Sequence, residues 1–382
     1  MARHRWLACA ALLAVTSCTE AHDERDASPA ALLDAALLDA ALAADAGADA
    51  GADAGAGEDA GAFDAAVTLE DASAPEPPDP PEPPEPPEPP DPPAGPVERT
   101  FRVLHWNVAG ATIHRGRTDS GLVREVQQAI GAHNPHFVGL NELCRSQFDA
   151  LVSALRASRW PEDPERFARF VASRPASTTP AACGAFGSAI FSRLSLGAAD
   201  RFELPSDGTV EDRYLLCAPL RSLPHMRLCT THLTPRIADG HNRAQLREVV
   251  RRLEAYRASG DTVLVTGDFN TEPDAASMDA VYAPGVDTPH NRNNTGEYRE
   301  LDDADPAHCR GYGEATGQHS TGGACGNGRK IDFVFVRRDR IVRSYEYAAD
   351  ARPLLRECAA SVGTLCSDHR MITGRVRVRI ER

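Results

Sequence analysis

The chain has 382 residues and a formal net charge of −14 at pH 7. That acidity does not belong to the part able to fold: residues 19–96 hold 20 Asp and Glu against one Arg, a net of −19, whereas residues 97–382 carry 38 Lys and Arg against 35 Asp and Glu, a net of +3. The whole-chain charge therefore does not exclude a phosphate-bearing substrate, and a mildly basic folded part is compatible with one without being diagnostic.

The N-terminus reads as a targeting signal. Arg3 and Arg5 precede the apolar run Trp6 to Val15, which is too short to span a bilayer. The run ends in Val15-Thr16-Ser17-Cys18, which resembles a lipobox and predicts a lipoprotein-type signal over residues 1–18 with Cys18 as the lipidated residue; ordinary signal cleavage near the same place is the alternative. Export, with a membrane anchor through Cys18, is the expected localisation. Residues 19–97 are an Ala/Asp and Pro/Glu-rich linker with too few large apolar side chains to offset chain entropy, and are expected to be disordered. Its Leu32–Ala44 stretch has a leucine pattern compatible with transient helix. From Pro75 to Pro93 the alternation of Pro with Glu or Asp favours polyproline II, a spacer on the order of 60 Å at about 3.1 Å per residue.

Residues 98–382 are expected to form one domain, because no second linker and no internal repeat interrupts them. Short runs rich in β-branched and aromatic residues predict strands at Phe101–Val108, His136–Leu140, Ser188–Phe191, Tyr214–Leu220, Met226–His232, Thr262–Thr266, Ile331–Val336, Ile341–Ala348 and Met371–Ile380. Helical stripes fall at Leu122, Val126 and Ile130, at Phe148, Leu151 and Leu155, and at Leu246, Val249, Val250 and Leu253. Early strand–helix–strand units followed by hairpins give an α/β chain with helices outside packed sheets. Residues 284–330 read as a long loop. Eight cysteines lie beyond the signal: Cys144, Cys183, Cys217, Cys229, Cys309, Cys325, Cys358 and Cys366. Their even number suggests four disulfides in an oxidising compartment, and the hairpin turn expected at Leu223-Pro224-His225 between Cys217 and Cys229 favours pairing of sequential neighbours. No C-x-x-C pair supports a cysteine zinc site.

Polar residues cluster at the strand ends. Asn107 follows the first run, Glu142 the second, and Thr231-His232 ends Met226–Thr230. Gly267-Asp268-Phe269-Asn270 ends the Thr262 run, Asp332 heads Phe333–Val336, and Ser367-Asp368-His369 precedes the last strand. Such groups at the ends of neighbouring strands can converge on one sheet edge. Asn, Glu and Asp oxygens suit Mg²⁺, Mn²⁺ or Ca²⁺, which bind phosphate oxygens, and two histidines with carboxylate partners can move protons or shield charge. Taken singly each has a plainer reading. Gly-Asp-x-Asn, Ser-Asp-His and Asn107 suit turns, Glu142 a solvated surface, His232 a satisfied core histidine, and Asp332 an ion pair with Lys330 or Arg329. Their co-occurrence in this order argues for function.

The ordered series Leu104-His105-Trp106-Asn107, Val138-Gly139-Leu140-Asn141-Glu142, Gly187-Ser188-Ala189-Ile190-Phe191-Ser192-Arg193, Thr231-His232-Leu233, Gly267-Asp268-Phe269-Asn270, Lys330-Ile331-Asp332-Phe333 and Ser367-Asp368-His369 resembles the endonuclease/exonuclease/phosphatase superfamily, which has the deoxyribonuclease I-like fold. The resemblance spans essentially all of 100–380. It implies a four-layer α/β sandwich, with two packed mixed β-sheets flanked by helices, and a divalent-metal-dependent phosphoester hydrolase using Mg²⁺ (or Mn²⁺ or Ca²⁺). It further implies Glu142 as the main metal ligand, with Asn107 and Asp368 nearby. Asp268 and Asn270 would activate water or contact the scissile phosphate. His369 with Asp332 would form one His–Asp pair, and His232, oriented by Asp212, the second. Arg213 would contact phosphate. Asn141, where Gln is usual, and His105, where a small polar residue is commoner, depart from the family pattern and leave the subfamily open. The expected activity is that of an exported DNase-like phosphodiesterase acting, as a monomer, on nucleic acid. A sphingomyelinase-like or inositol-phosphate phosphoesterase, or a surface binding protein retaining the fold, are the alternatives.

Overall fold

The computed structural model describes residues 95–317, 328–343, 347–353, 358 and 365–382. The signal at 1–18 with Cys18, the linker up to residue 94 and Cys325 lie outside the described residues.

Among the described residues, twelve strands and three α-helices follow one another in an α/β order. They are β1 (Val97–Asn107), α1 (Leu122–His133), β2 (Phe137–Cys144), α2 (Arg145–Ala157), β3 (Ala168–Arg174), β4 (Phe186–Ser192), β5 (Asp200–Glu203), β6 (Tyr214–Leu220), β7 (Leu223–His232), α3 (His241–Ala258), β8 (Thr262–Asp268), β9 (Tyr298–Glu300), β10 (Asp332–Arg337), β11 (Tyr347–Ala351) and β12 (Ile372–Ile380). They form two six-stranded mixed sheets, ordered β11-β12-β1-β2-β4-β3 and β5-β6-β7-β8-β10-β9. In each, one parallel pair (β1 with β2, β7 with β8) is spanned by a helix, and the remaining pairs are antiparallel.

Side-chain parity explains the layering, since alternate residues of a strand face opposite sides of its sheet. Phe101 and Val103 of β1, Phe137 of β2, Leu228 of β7, Leu264 of β8 and Val334 and Val336 of β10 share one apolar core between the two sheets. The other parity of β1 and β2 (Leu104, Trp106, Val138, Leu140) packs with the α1 stripe Leu122, Val126, Ile130 and the α2 stripe Phe148, Leu151, Leu155. On the far side Val263 and Val265 of β8 and Phe333 and Phe335 of β10 pack with Leu246, Val249 and Leu253 of α3. The result is the four-layer α/β sandwich, with the predicted helical stripes buried except Val250, which is only partly covered.

Three strands carried no clear sequence signal: β3, β5 and β9. All three are sheet edges, and each is short or half-exposed. The strand expected at Ile341–Ala348 is shifted: Ile341 makes an isolated bridge to Val378, and β11 begins at Tyr347. Within the expected 284–330 loop lie a helical turn at Pro284–Val286 and β9. Disulfides join Cys144 to Cys183, Cys217 to Cys229 and Cys358 to Cys366, all sequential neighbours. Cys217 and Cys229 face each other directly across the β6–β7 hairpin. Cys309 is also disulfide-bonded.

Candidate active site

The same parity that fills the inter-sheet core with apolar residues delivers polar ones at one end of it. On β1 the sequence Phe101, Val103, His105, Asn107 runs along the inner face. On β2 the inner positions are Phe137, Gly139 and Asn141, on β7 Leu228, Thr230 and His232, and on β8 Leu264, Thr266 and Asp268. The sheets approach closely here: a Cβ at Gly139 would meet Thr266 Oγ1 at 2.0 Å, so this position of the Val-Gly-Leu motif requires glycine. The ladder aligns the groups further, because Asp268 is the register partner of both His232 on β7 and Asp332 on β10.

Asp268 is the hub. Its Oδ2 accepts from Asn107 Nδ2 at 3.0 Å and lies 3.6 Å from His232 Nε2 and 3.7 Å from His369 Nε2. Its Oδ1 accepts from the Asn270 amide at 2.9 Å, and its own amide donates to Asn141 Oδ1 at 2.9 Å. Burial and the charge of Asp332 push the Asp268 carboxyl up to about 6, near the range useful to a proton acceptor.

The two imidazoles are set oppositely. Burial, then the charges of Arg213 and His369, push His232 well below its ordinary value, so it is neutral. Asn270 Nδ2 faces His232 Nε2 at 3.2 Å; a donor there leaves Nε2 as acceptor and puts the ring proton on Nδ1. For His369 burial opposes charge, but the carboxylates of Asp332 and Asp268 outweigh it and hold the ring well above its ordinary value. Its Nδ1 lies 2.7 Å from Asp332 Oδ2. Burial would raise Asp332, yet the His369 charge and the hydrogen bonds from His105 and His369 hold it well below the usual carboxylate range. A pair of imidazoles driven apart in this way is an acid and a base side by side.

Glu142 stands at a β-bulge. The β2–β4 register shifts between Leu140 and Leu143, and Glu142 takes a left-handed φ of 56°, a conformation that costs a non-glycine residue about 1 kcal/mol. The bulge turns its carboxylate toward the cluster, where Oε1 accepts from Asn107 Nδ2 at 3.0 Å. Burial pushes Glu142 up to about 7, against the Asn107 hydrogen bond, with Asp368 and Glu211 adding negative charge. Among the described residues no Lys or Arg pairs with Glu142 or Asp368. An oxygen-rich group of carboxylates to which no Lys or Arg is paired is the kind of donor set that Mg²⁺, Mn²⁺ or Ca²⁺ takes, so the residues fit a divalent ion. Asp268, Asp332 and His369 also bring ligand atoms within 4.8 Å of one another.

The 367–369 turn is locked to the end of β1. Ser367 Oγ donates to the Asn107 carbonyl at 2.6 Å, Trp106 Nε1 donates to the His369 carbonyl at 3.0 Å, and the His369 amide donates to Ser367 Oγ at 3.0 Å. Thr316 Oγ1 receives the amides of Ile331 and Asp332, both at 3.0 Å, which fixes the head of β10.

The structure places three of these residues as follows. Asp212 does not face His232: it is exposed, and the carboxylate beside His232 Nδ1, at 4.0 Å, is that of Glu211. Glu211 also pairs with the buried Arg213 at 2.9 Å. The reason is a one-residue offset in the loop before β6, where the Asp212 amide is tied to the Ser173 carbonyl. Asn107 offers nitrogen rather than oxygen to the carboxylates: its Oδ1 accepts the Ala109 amide at 3.2 Å, which fixes Nδ2 toward Glu142 and Asp268. Lys330 is not a partner of Asp332; it pairs with Asp302 and Glu300, and Arg329 pairs with Glu272.

Two site residues went unrecognised as such in the sequence. His105, wholly buried, donates through Nε2 to Asp332 Oδ1 at 3.1 Å, so that one carboxylate serves two imidazoles. Its place two residues before Asn107, on the same parity, is the signal that could have found it. Asn141 bridges the sheets, donating to Ser188 Oγ at 2.9 Å while holding the Asp268 amide.

Comparison with solved structures finds the same fold in truncated Caenorhabditis elegans TDP2, with 16% identity over 72% of this chain and 97% of that one and a TM-score of 0.50. It also finds the human Nocturnin catalytic domain with bound sulfate anion, with 16% identity over 73% and 97% and a TM-score of 0.51. No curated protein sequence matches. The model of the Endonuclease/Exonuclease/phosphatase family matches residues 104–369, a span that contains every residue of the cluster above. The chain therefore belongs to the Endonuclease/Exonuclease/phosphatase family, whose members are phosphoester hydrolases.

Proposed function

We propose that the protein is an exported, divalent-metal-dependent phosphodiesterase of the DNase type. The observation that carries the reading is the Asp268 carboxylate, flanked at 3.6 and 3.7 Å by the Nε2 atoms of His232 and His369. In this reading Glu142 and Asp368 hold the cation and Asn107 orients Glu142. When bound, a divalent ion polarises a phosphoryl oxygen and offsets the charge of an in-line displacement. Asp268 accepts the proton of the attacking water, with Asn270 fixing the orientation of its carboxylate. His369, kept protonated by Asp332, donates to the phosphate oxygens. His232, held by Glu211 and Asn270, lines the opposite side, and Arg213 beside it supplies positive charge for phosphate.

Nucleic acid is the proposed substrate because the folded part has a net charge of +3 and the Arg213-Tyr214-Leu215 segment resembles the deoxyribonuclease branch. Three described disulfides support an oxidising compartment, in keeping with the proposed signal over 1–18, anchorage at Cys18, a spacer over 19–97 and a catalytic domain over 98–382. The test is hydrolysis of plasmid DNA, RNA, sphingomyelin and inositol polyphosphates by the purified oxidised chain, with Mg²⁺, Mn²⁺ or Ca²⁺ against EDTA. Metal-dependent nicking of plasmid, lost in Glu142→Gln, is expected. Cleavage of lipid or inositol phosphate alone would overturn the substrate, and inactivity throughout would favour a binding protein.

A further inference from the structure

Between β9 and β10 the chain makes an excursion whose charged residues the catalytic reading does not use. His308 Nδ1 lies 2.6 Å from Asp305 Oδ2 and 3.4 Å from Glu314 Oε1. One ligand atom from each of these three side chains lies within 4.8 Å of the others, and all three remain partly open to solvent. A compact His, Asp and Glu group of this kind is by itself also compatible with a simple ion pair. Asp302 provides a second observation.

Asp302 is almost wholly buried and engages each member of the group. The Asp305 amide donates to its carbonyl at 3.3 Å, the Glu314 amide donates to its Oδ2 at 2.6 Å, and its charge acts on the His308 ring. Oδ2 also receives the Lys330 ammonium at 3.1 Å, whereas Oδ1 is buried with no hydrogen-bond partner. A carboxylate oxygen buried without a partner is costly. The nearby ammonium is moreover shared with Glu300, so the carboxylates of Asp302, Asp305 and Glu314 outnumber the cations that serve them.

We propose that Asp305, His308 and Glu314, with the buried carboxylate of Asp302 behind them, form a second divalent-cation site, distinct from the catalytic cluster. One imidazole with carboxylate oxygens suits a borderline ion of the Zn²⁺ type better than Mg²⁺, which favours oxygen and water. The site's role is to staple. The other Glu314 oxygen accepts the Ala351 amide at the end of β11. Two residues further on, Thr316 holds the amides of Ile331 and Asp332 and receives the Arg370 amide. Cys309, next to His308, is disulfide-bonded. A cation here therefore ties the excursion to the segment that buttresses Asp332, without touching substrate.

The test uses the full oxidised chain, stripped with EDTA and returned to buffer with excess Mg²⁺, and titrated with Zn²⁺ by calorimetry while bound metal is counted by emission spectroscopy. His308→Ala and Glu314→Gln are compared with His369→Ala, which disrupts the catalytic cluster instead. The expected result is one Zn²⁺ bound by wild type and by His369→Ala, with affinity at least about 100-fold weaker in His308→Ala and Glu314→Gln. Zn²⁺ should raise the melting temperature of wild type and leave that of His308→Ala unmoved. Unchanged affinity in folded His308→Ala and Glu314→Gln, loss in His369→Ala alone, or no Zn²⁺ bound by folded wild type would each overturn the proposal. Should either excursion variant misfold, the wild-type stoichiometry and the His369→Ala titration still decide it.

Discussion

Asp332 holds His369 from behind, its Oδ2 2.7 Å from the ring Nδ1, while its other oxygen is engaged by His105 at 3.1 Å. The arrangement fixes the ring so that Nε2 points at Asp268 and keeps the imidazole charged. Asp332→Asn removes the charge that sustains that proton, so kcat should fall by about 10²–10⁴-fold with folding intact by circular dichroism. His105→Thr, which leaves Asp332 with one imidazole, should cost about 10-fold. A folded Asp332→Asn enzyme within threefold of wild type would remove His369 from the chemistry.

Asn107 touches both Glu142 and Asp268 through one nitrogen, so it should matter through Glu142 rather than as a ligand. Asn107→Ala is expected to weaken apparent Mg²⁺ affinity by about 10–100-fold, and part of the lost activity should return at high Mg²⁺. Glu142→Gln, which removes a direct oxygen donor, should not be rescued. The measurement is the Mg²⁺ dependence of hydrolysis for both variants; equal rescue of the two would reverse their assigned roles.

The carboxylate next to His232 is Glu211, and this leads to a paired comparison. Glu211→Gln loses the charge shared by His232 and Arg213 and should reduce kcat/KM by about 10–100-fold. Asp212→Asn, on an exposed residue, should stay within about twofold. If Asp212→Asn proves the damaging change, Asp212 rather than Glu211 serves His232.

These variants also mark the limit of what the sequence could reveal. The central strands were readable because their apolar runs face a core on both sides, and the site residues because each ends or begins such a run. Edge strands β3 and β5 are half-exposed, β9 is only three residues long, and between them they carry Arg, Asp and Glu, so neither periodicity nor composition distinguishes them from loops. Glu211 and Asp212 lie in a loop, where no period tells which of two adjacent carboxylates faces inward. For His105 the parity with Phe101, Val103 and Asn107 is present in the sequence, but nothing local to β1 distinguishes a working imidazole from a satisfied core histidine. Its partner Asp332 is 227 residues away, and only the sheet topology joins them.

Stability should depend on pH through a residue remote from the cluster. His136, just before β2, accepts the Arg102 amide on its ring Nδ1 at 3.0 Å, which requires that nitrogen to be unprotonated. Burial, then the charges of Arg102, Arg193 and Arg99, push its pKa from 6.5 down to about 4. Between these values the unfolded chain binds a proton that the folded chain does not, so stability rises with pH across that window. The contribution is fully present above about 6.5 and is lost as pH falls through about 4. The ring is half-buried, so after allowance for solvent screening it amounts to on the order of 1–2 kcal/mol. His136→Asn keeps an acceptor for the Arg102 amide but cannot titrate. Its melting temperature should therefore fall less than that of wild type between about pH 7 and pH 4.5, the difference reading His136 against the carboxylates that titrate in both. Identical slopes for the two proteins would mean that His136 does not carry this dependence.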